Sequence, residues 1–306
     1  MTPAIEQAHA MIASFGGSES GRPGIATPSH AIELINELLV CGEWRLAHDL
    51  CLATESQRLS IAEGIELELC AIECLIRFGK LDDALSRLDV AAIRMDREAE
   101  NLPSRLSQWF SILRGRALWR ALRLQEAKEV LTAERARLLQ EPDGKMLGWC
   151  SFMLSNAYWG EGNVTNARRF VTEALVSAYR NGDARLEAYA NHSAGLMSRF
   201  LCHWIEARAH LREALDYARS KGHSELVIHA QRSIGIVDWK RGRLDAARTS
   251  ALESARLATA MKAELSRCFA FELLALISLH GGDLVEARDF LQVALDLKPA
   301  RFDTRS

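Results

Sequence analysis

The hydrophobic positions of this chain repeat over a long and nearly constant distance. A small or turn residue is followed two positions later by an apolar residue and three positions beyond that by an alanine, where an amphipathic stretch begins. The spacing of these anchor alanines settles at 40 residues after two irregular intervals, and they are Ala47, Ala84, Ala127, Ala167, Ala207, Ala247 and Ala287. A fixed period of this length is typical of a solenoid of repeated supersecondary units.

Three further positions keep the same register and predict two helices in each repeat. Five residues before the anchor lies a residue suited to a left-handed helix stop; it is Leu122 or Cys202 in two repeats and otherwise Gly42, Gly79, Gly162, Gly242 or Gly282. Twelve residues before it, where two backbones must approach closely, the last five repeats have Gly115, Ser155, Gly195, Gly235 and Ala275. Seven residues after it, on the same helical face, come Ala91, Ala174, Ala214 and Ala294. Each repeat is therefore predicted to be a helical hairpin.

This pattern resembles the tetratricopeptide repeat over about residues 29–299, and the last unit, from Gly282 to Pro299, matches best. The period is longer than the usual one of about 34 residues. That longer spacing, with second helices ending near Gly182 and Gly222, is similar to the arrays of MalT-like regulators and Rap-type peptide sensors. The resemblance implies an all-α fold, a right-handed superhelical solenoid of about seven hairpins. Such arrays bind peptides, proteins or small effectors and usually do no chemistry themselves.

The sequence before the array predicts a separate leader. Residues 1–28 contain a short helical stretch around Ala4 to Ala13 and then a Gly- and Ser-rich segment that indicates a flexible linker. We expect the leader helix to cover the apolar stripe of the first repeat and to cap the open end of the array. The array itself is predicted over residues 29–299 as a single solenoid domain, followed by a tail over 300–306.

The resemblance also implies which positions form the concave surface, because the first helix of each hairpin lines it. The stripe lies eighteen, fifteen, eleven, eight and seven residues before the anchor alanine. In repeats three to six, eight of these twenty positions are aromatic, five are Arg or Lys, two are His and none is acidic. The candidate ligand-binding residues on this stripe are Trp109, Arg116, Trp119, Arg120, Trp149, Phe152, Asn156, Trp159, Tyr189, His192, Arg199, Phe200, His229, Arg232, Trp239 and Lys240.

The charge of this stripe differs from that of the whole chain. Lys and Arg total 38 against 40 Asp and Glu, so net charge indicates neither a nucleic acid nor an anionic membrane as partner. The stripe is locally basic, and we expect its arginines to attract an anionic group and its tryptophans to contact an apolar or planar surface. The predicted ligand is a peptide, a protein or a small anionic effector. The residues leave open that the aromatics pack successive helices and that the charges form a solvated face.

Several classes of chemistry have no sequence support. The chain contains no GxxxxGK[ST], GxGxxG, GxSxG or HExxH motif, so we expect no enzyme activity and no cofactor. Cys70 and Cys74 share a helix face but lie among apolar residues, and we assign them to the core rather than to a metal site. The odd number of cysteines, seven, and the lack of a signal segment or a membrane-spanning run predict a cytoplasmic protein. No helix-turn-helix or basic arm is evident in residues 1–60, so we expect no direct DNA binding by this chain.

These observations favour a non-catalytic sensor or recognition module, the regulatory part of a bacterial-type signalling or transcription regulator. Its concave aromatic and basic groove would bind the effector. The alternative function is a protein–protein interaction scaffold that uses the convex face or the ends of the array. A third reading, an enzyme without a known motif, would need a nucleophile or an acid–base pair in the groove.

Overall fold

The structure is a computed structural model that describes residues 3–16, 27–140 and 144–297. The regular elements in these ranges are all helical, as the sequence predicts, and a single 3₁₀ turn at Ala99–Asn101 accompanies the α-helices. The helices are α1 (Pro3–Gly16), α2 (Pro28–Cys41), α3 (Trp44–Thr54), α4 (Ile61–Phe78), α5 (Leu81–Arg97), α6 (Ser104–Arg120), α7 (Leu124–Leu138), α8 (Gly144–Gly160), α9 (Val164–Asn181), α10 (Ala184–Phe200), α11 (Trp204–Ser220), α12 (Ser224–Lys240), α13 (Leu244–Ala260), α14 (Glu264–His280) and α15 (Leu284–Leu297).

The chain divides into two compact units, Met1–Leu186 and Glu187–Ser306. The first contains α1 and the hairpins α2–α3, α4–α5, α6–α7 and α8–α9. The second contains α11 to α15 and nearly all of α10, which form the hairpins α10–α11, α12–α13 and α14–α15. The described part of the chain thus carries the seven hairpins that the repeat predicts, and their anchor alanines are at most 5% exposed.

The leader helix is part of the core of the first unit. On α1, Ala4, Ala8 and Met11 are buried in the same apolar cluster as Ile35 of α2 and Leu50 of α3. The helix is longer than the predicted stretch of Ala4 to Ala13, since it runs from Pro3 to Gly16. The linker is predicted over residues 15–24, but Phe15 and Gly16 belong to α1. The rest of the predicted linker and the predicted tail over 300–306 lie outside the described residues.

The turns inside the hairpins have the left-handed conformation that the sequence predicts. The five glycines five residues before an anchor have φ between 73° and 86°, and Leu122 and Cys202 adopt φ of 60° and 61° in the equivalent turns. Leu122 and Cys202 are strained in this conformation and are held in it by the hydrogen bonds that end the helix. The next backbone N–H after Leu122, from Arg123, donates to the carbonyl oxygen of Leu118 at 2.9 Å. A side chain is therefore tolerated there, at a cost that glycine avoids.

The small residues inside the first helices are required by close helix packing. A Cβ atom on Gly115 would lie 2.5 Å from the Leu131 side chain, and one on Gly195 would lie 2.6 Å from Leu211 Cγ. In the repeat between them, the hydroxyl of Ser155 donates to the carbonyl oxygen of the anchor Ala167 at 2.9 Å. The first helix of each hairpin therefore lies against the start of the second, which fixes the direction of its remaining faces.

Candidate functional site

A pocket of about 350 Å³ lies in the first unit, where the first helices of successive hairpins face a common space. Helices α2, α4, α6 and α8 and the start of α10 line it. Its aromatic residues are Trp109 and Trp149, its cations are Arg105, Arg116, Lys145 and Arg185, and its carboxylates are Glu66 and Glu73. The remaining lining residues are Asn36, Leu39, Val40, Ile112, Leu113, Met146 and Met153. The pocket is therefore apolar over much of its wall, with charged groups converging on it.

Glu73 is the centre of the charged groups. Its carboxylate accepts a hydrogen bond from Arg116 Nη1 at 2.7 Å, and the guanidinium groups of Arg77 and Arg185 approach it to 3.5 and 3.9 Å. Burial acts to raise the pKa of Glu73, but Arg116, Arg77 and Arg185 together lower it from 4.5 to about 2. One ionised and buried carboxylate thus orders three arginines from three helices.

The cations that line the pocket outnumber its carboxylates by two. Arg105 forms a two-point contact with Glu66, with N–O distances of 3.0 and 2.7 Å, in the outer part of the pocket. Glu73 is shared between Arg116 and Arg185. Because two positive charges remain in excess on a partly apolar wall, the pocket is suited to an anionic group attached to an apolar body.

Trp149 is held in a fixed orientation at the pocket wall. Its indole N–H donates to Asp183 Oδ2 at 2.9 Å, and the guanidinium of Arg185 lies over its ring, 5.4 Å from the centroid. The other carboxylate oxygen of Asp183 accepts the backbone N–H of Leu186 at 3.0 Å and so caps the start of α10. One carboxylate therefore links the tryptophan to the helix that carries Arg185, which leaves a pre-oriented aromatic surface.

The pocket differs in two ways from the predicted site. The sequence predicts an acid-free groove over repeats three to six, whereas Glu66 and Glu73 of repeat two and Asn36 of repeat one line the pocket. Arg116 is consequently engaged by a carboxylate of its own chain. Glu66 and Glu73 lie at stripe positions of repeat two, eighteen and eleven residues before Ala84, but that repeat is outside the four over which the groove is predicted.

Three cations also escaped the prediction, although the sequence carries a signal for them. Arg105, Lys145 and Arg185 each lie twenty-two residues before an anchor alanine, one helical turn before the first stripe position. Three basic residues at the same position of successive repeats mark a basic row on the first helices. The five positions that define the stripe do not include this row.

The other predicted residues of the first unit do not line this pocket. Phe152 and Asn156 are buried on α8, and Trp119 packs beside a cluster formed by Leu118, Ala127 and Ala157. Trp159 is half-buried, and Arg120 at the end of α6 is exposed. Their role in ligand binding stays a prediction.

The predicted residues of the second unit fall into different environments. The hydroxyl of Tyr189 lies 2.8 Å from Nε2 of the buried His223, whose Nδ1 accepts the backbone N–H of Leu226 and caps α12. Nε2 of His223 therefore carries the proton, and Tyr189 accepts it in a bond that supports the helix start. Phe200 is 65% exposed.

Trp239 and Lys240 lie side by side at the end of α12. The ammonium group of Lys240 is 4.2 Å from the centroid of the Trp239 ring, and this ring makes a T-shaped contact with His280 of α14. The remaining predicted residues, His192, Arg199, His229 and Arg232, lie on α10 and α12.

Tandem helical hairpins with anchor alanines and left-handed turns form an all-α repeat fold, as the sequence predicts. Solved structures share this fold. One is a Rap protein complexed with competence and sporulation factor, with a TM-score of 0.61, 16% identity and coverage of 88% of this chain and 76% of the other. Another is the apo form of the quorum sensor NprR from B. thuringiensis, with a TM-score of 0.61, 16% identity and coverage of 90% and 78%.

A third solved structure is aspartyl phosphate phosphatase F from Bacillus subtilis, with a TM-score of 0.56, 12% identity and coverage of 94% and 78%. Identities this low establish the fold alone. No protein-family model and no curated protein matches the sequence. Within the described ranges, no helix is long and apolar enough to cross a membrane, and no three His, Cys, Asp or Glu residues are grouped to hold a metal ion.

Proposed function

We propose that this protein is a cytoplasmic sensor module that binds a peptide with an anionic group in the pocket of the first unit and so regulates signalling or transcription. The observation that carries the proposal is the pocket itself, where Trp109 and Trp149 stand beside four cations and only two carboxylates. Aromatic anchors next to arginine are the usual composition of tight recognition sites.

The solved structures with this fold support a peptide as the ligand. One of them is a complex with competence and sporulation factor, and another is a quorum sensor that has also been solved with its cognate peptide NprX. In the pocket, an apolar side chain of the peptide would contact Trp109 and Met153, while a carboxylate would approach the row formed by Arg105, Lys145 and Arg185. No disulfide bond joins the seven cysteines of the described chain, which is compatible with the reducing cytoplasm.

The test uses two pools of dye-labelled synthetic pentapeptides, one with an Asp at a fixed position and one with Asn in its place. We expect the full chain to bind the Asp pool more tightly. The double variant Arg105→Gln, Lys145→Gln removes two exposed cations of the pocket, and we expect about tenfold weaker binding of the Asp pool. Arg180→Gln, an exposed change on α9 outside the pocket, is the matched control. Equal affinity for both pools in all variants would reject the proposal.

The wider stripe is tested by a second pair of variants. The sequence pattern predicts that Arg120→Ala and Trp159→Ala each cost about 2 to 4 kcal/mol of binding free energy if they are anchors. Both residues lie outside the pocket. Loss of binding in these two variants, with the Arg105 and Lys145 variant unaffected, would assign the ligand to the stripe instead of the pocket.

An interaction scaffold is the second candidate, because α15 presents an exposed apolar face. Leu284, Val285 and Leu295 are 67%, 64% and 60% exposed, and large exposed apolar patches mark partner surfaces. In that function the pocket variants would leave partner capture unchanged. We also propose that this chain is not itself an enzyme, and hydrolysis of an acyl phosphate by the purified chain would contradict this.

A further inference from the structure

Four basic side chains lie close to one another on two helices of the second unit. His192 and Arg199 lie on one face of α10, two helical turns apart, and His229 and Arg232 lie one turn apart on α12. The rings of His192 and His229 are tilted by 49° to each other, with their centroids 6.3 Å apart. The cluster therefore joins neighbouring first helices within the second unit.

Neither guanidinium in this cluster has an ionic partner. Among the described residues, Arg199 and Arg232 form no salt bridge and no side-chain hydrogen bond, and Arg232 instead lies over the ring of Phe269, 5.0 Å from its centroid. Arg208 and Arg248 of the same unit are also half-buried, but each has a carboxylate partner. Arg208 meets Asp238 at 3.0 Å, and Arg248 is paired with Glu286. An unpaired, partly buried pair of guanidinium groups is costly and needs an explanation.

The pKa values of Arg199, Arg232 and His192 are all lowered, so the neutral form of each group is favoured more than usual. Burial lowers the pKa of Arg199 and of Arg232 below the usual value for arginine. The charge of Arg199 lowers the pKa of Arg232 further, against a smaller opposing effect of Glu272 on α14. Burial, His229, Arg232 and Arg199 lower the pKa of His192 from 6.5 to about 3. His192 is therefore neutral near pH 7, and its buried Nε2 has no hydrogen-bond partner among the described residues.

We propose that Arg199, Arg232, His192 and His229 form an oxyanion-binding site in the second unit, for a phosphoryl or carboxylate group. The site is distinct from the pocket of the first unit and does not depend on the proposed peptide. Two guanidinium groups supply charge-assisted hydrogen bonds to such a group, and the imidazoles supply further donors once they are protonated. A bound anion offsets the repulsion between the two guanidinium groups.

The site has a defined pH dependence. A negative charge beside His192 raises the pKa of this residue from about 3, so binding takes up protons and strengthens as pH falls. The other ionisable groups around the site are Glu225, whose carboxylate lies 3.8 Å from His229, and Glu272. Sulfate is the suitable probe because it stays fully ionised throughout the range in which imidazoles titrate. Any pH dependence of its binding then comes from the protein.

The experiment measures sulfate binding to the full chain by calorimetry and by thermal denaturation, with sodium chloride used to hold ionic strength constant. We expect sulfate to raise the denaturation midpoint of the wild type and of Arg256→Gln, a control at an exposed position on α13. In the double variant Arg199→Gln, Arg232→Gln we expect at least about tenfold weaker sulfate binding. Without sulfate, that variant should be at least as stable as the wild type, because a buried like-charge pair is removed.

Equal sulfate affinity in the double variant and the control would overturn the proposal. A second measurement covers the case in which the double variant does not fold. In the wild type, sulfate should shift the imidazole resonances of His192 and His229 and leave those of the exposed His203 in place. Unchanged resonances of His192 and His229 would also overturn it. Acetate and inorganic phosphate, run beside sulfate, distinguish the two sources: stronger binding of phosphate assigns a phosphoryl group, and stronger binding of acetate assigns a carboxylate.

Neither result depends on the peptide pools. Loss of peptide binding in the Arg105 and Lys145 variant tests the first unit alone, whereas the sulfate experiment tests the second. Failure of one proposal therefore leaves the other standing.

Discussion

At the scale of single residues, Glu73 shows how one buried charge organises a binding surface. Glu73 is 7% exposed, and its carboxylate is contacted by Arg116, Arg77 and Arg185. The arginines could not be held together at the pocket wall without a negative charge, since three like charges on neighbouring helices repel one another. Glu73 therefore has a structural role that also positions two of the cations lining the pocket.

Glu73→Gln should lower the stability of the protein at neutral pH by about 3 kcal/mol, which corresponds to the drop in pKa from 4.5 to about 2. Because the folded-state pKa is depressed, the stabilisation is complete above the unfolded-state pKa and is lost as pH falls from about 4.5 towards 2. Urea denaturation of wild type and variant across this range measures the difference. The gap should narrow steadily below about pH 4.5.

Glu37→Gln is the control for this prediction, because Glu37 is exposed on α2 of the same unit. We expect it to change the unfolding free energy by no more than about 0.5 kcal/mol at neutral pH. A gap between wild type and Glu73→Gln that stays constant with pH would show that the cost is due to packing and not to the ionised carboxylate.

At the scale of elements, the turns between paired helices carry measurable strain. Leu122 has φ of 60° and is 80% exposed, so its side chain adds little burial to offset a left-handed backbone. Leu122→Gly should stabilise the protein by about 0.5 to 1 kcal/mol, since the left-handed cost of about 1 to 2 kcal/mol exceeds the entropy that glycine adds to the unfolded chain. Chemical denaturation gives the change in unfolding free energy.

Leu139→Gly provides the comparison. Leu139 ends α7 with φ of −67° and is also largely exposed, so glycine there relieves no strain and should reduce stability by about 0.5 to 1 kcal/mol. The two leucine-to-glycine changes must therefore differ in sign. If both destabilise, the turn at Leu122 is not strained as its backbone indicates.

Close packing of the two helices of a hairpin gives an opposite prediction for Gly195. An added Cβ would lie 2.6 Å from Leu211 Cγ and 3.1 Å from the carbonyl oxygen of the anchor Ala207. Gly195→Ala should lower the unfolding free energy by about 1 to 2 kcal/mol, because α10 and α11 must move apart. Thermal or urea denaturation measures the loss.

Gly281→Ala tests whether this cost is specific to the crossing. Gly281 has φ of −77°, and the nearest atom to an added Cβ is a carbonyl oxygen 3.5 Å away. Alanine is compatible with that conformation, so the change should be neutral or stabilise by up to about 1 kcal/mol. A similar loss in both variants would contradict the packing argument for Gly195.

At the scale of the whole molecule, the repeat was readable from the sequence because every hairpin needs the same few residues at the same places. Ala167 and Ala207 are buried where the two helices of a hairpin pack closely. Gly162 and Gly242 adopt the left-handed conformation that ends the first helix. These local requirements recur about every 40 residues, so their period predicts the fold. The pocket was harder to predict, because Glu73 and Arg185 meet only after α4, α6, α8 and α10 are packed together.

The leader helix gives a prediction about how the array is terminated. A repeat array exposes apolar surface at its ends unless a cap covers it. On α1, Ala8 is fully buried and Ala10 is exposed, so the two positions differ in environment but not in residue type. Ala8→Asp places a charge in the apolar cluster with Ile35 and Leu50 and should cost about 2 to 4 kcal/mol.

Removal of residues 1–24 should lower the unfolding free energy by a similar amount, since it takes away the same buried face. Ala10→Asp keeps the charge on the same helix and should leave stability within about 0.5 kcal/mol of the wild type. Urea denaturation of the truncated chain, Ala8→Asp and Ala10→Asp measures how much α1 contributes to stability. Binding of the Asp peptide pool to the same three forms measures the affinity of the pocket. If α1 is a cap, the truncated chain and Ala8→Asp lose stability and, below their unfolding transitions, bind the pool with unchanged affinity. A truncated chain that keeps its stability but loses peptide binding would make α1 part of the binding site instead.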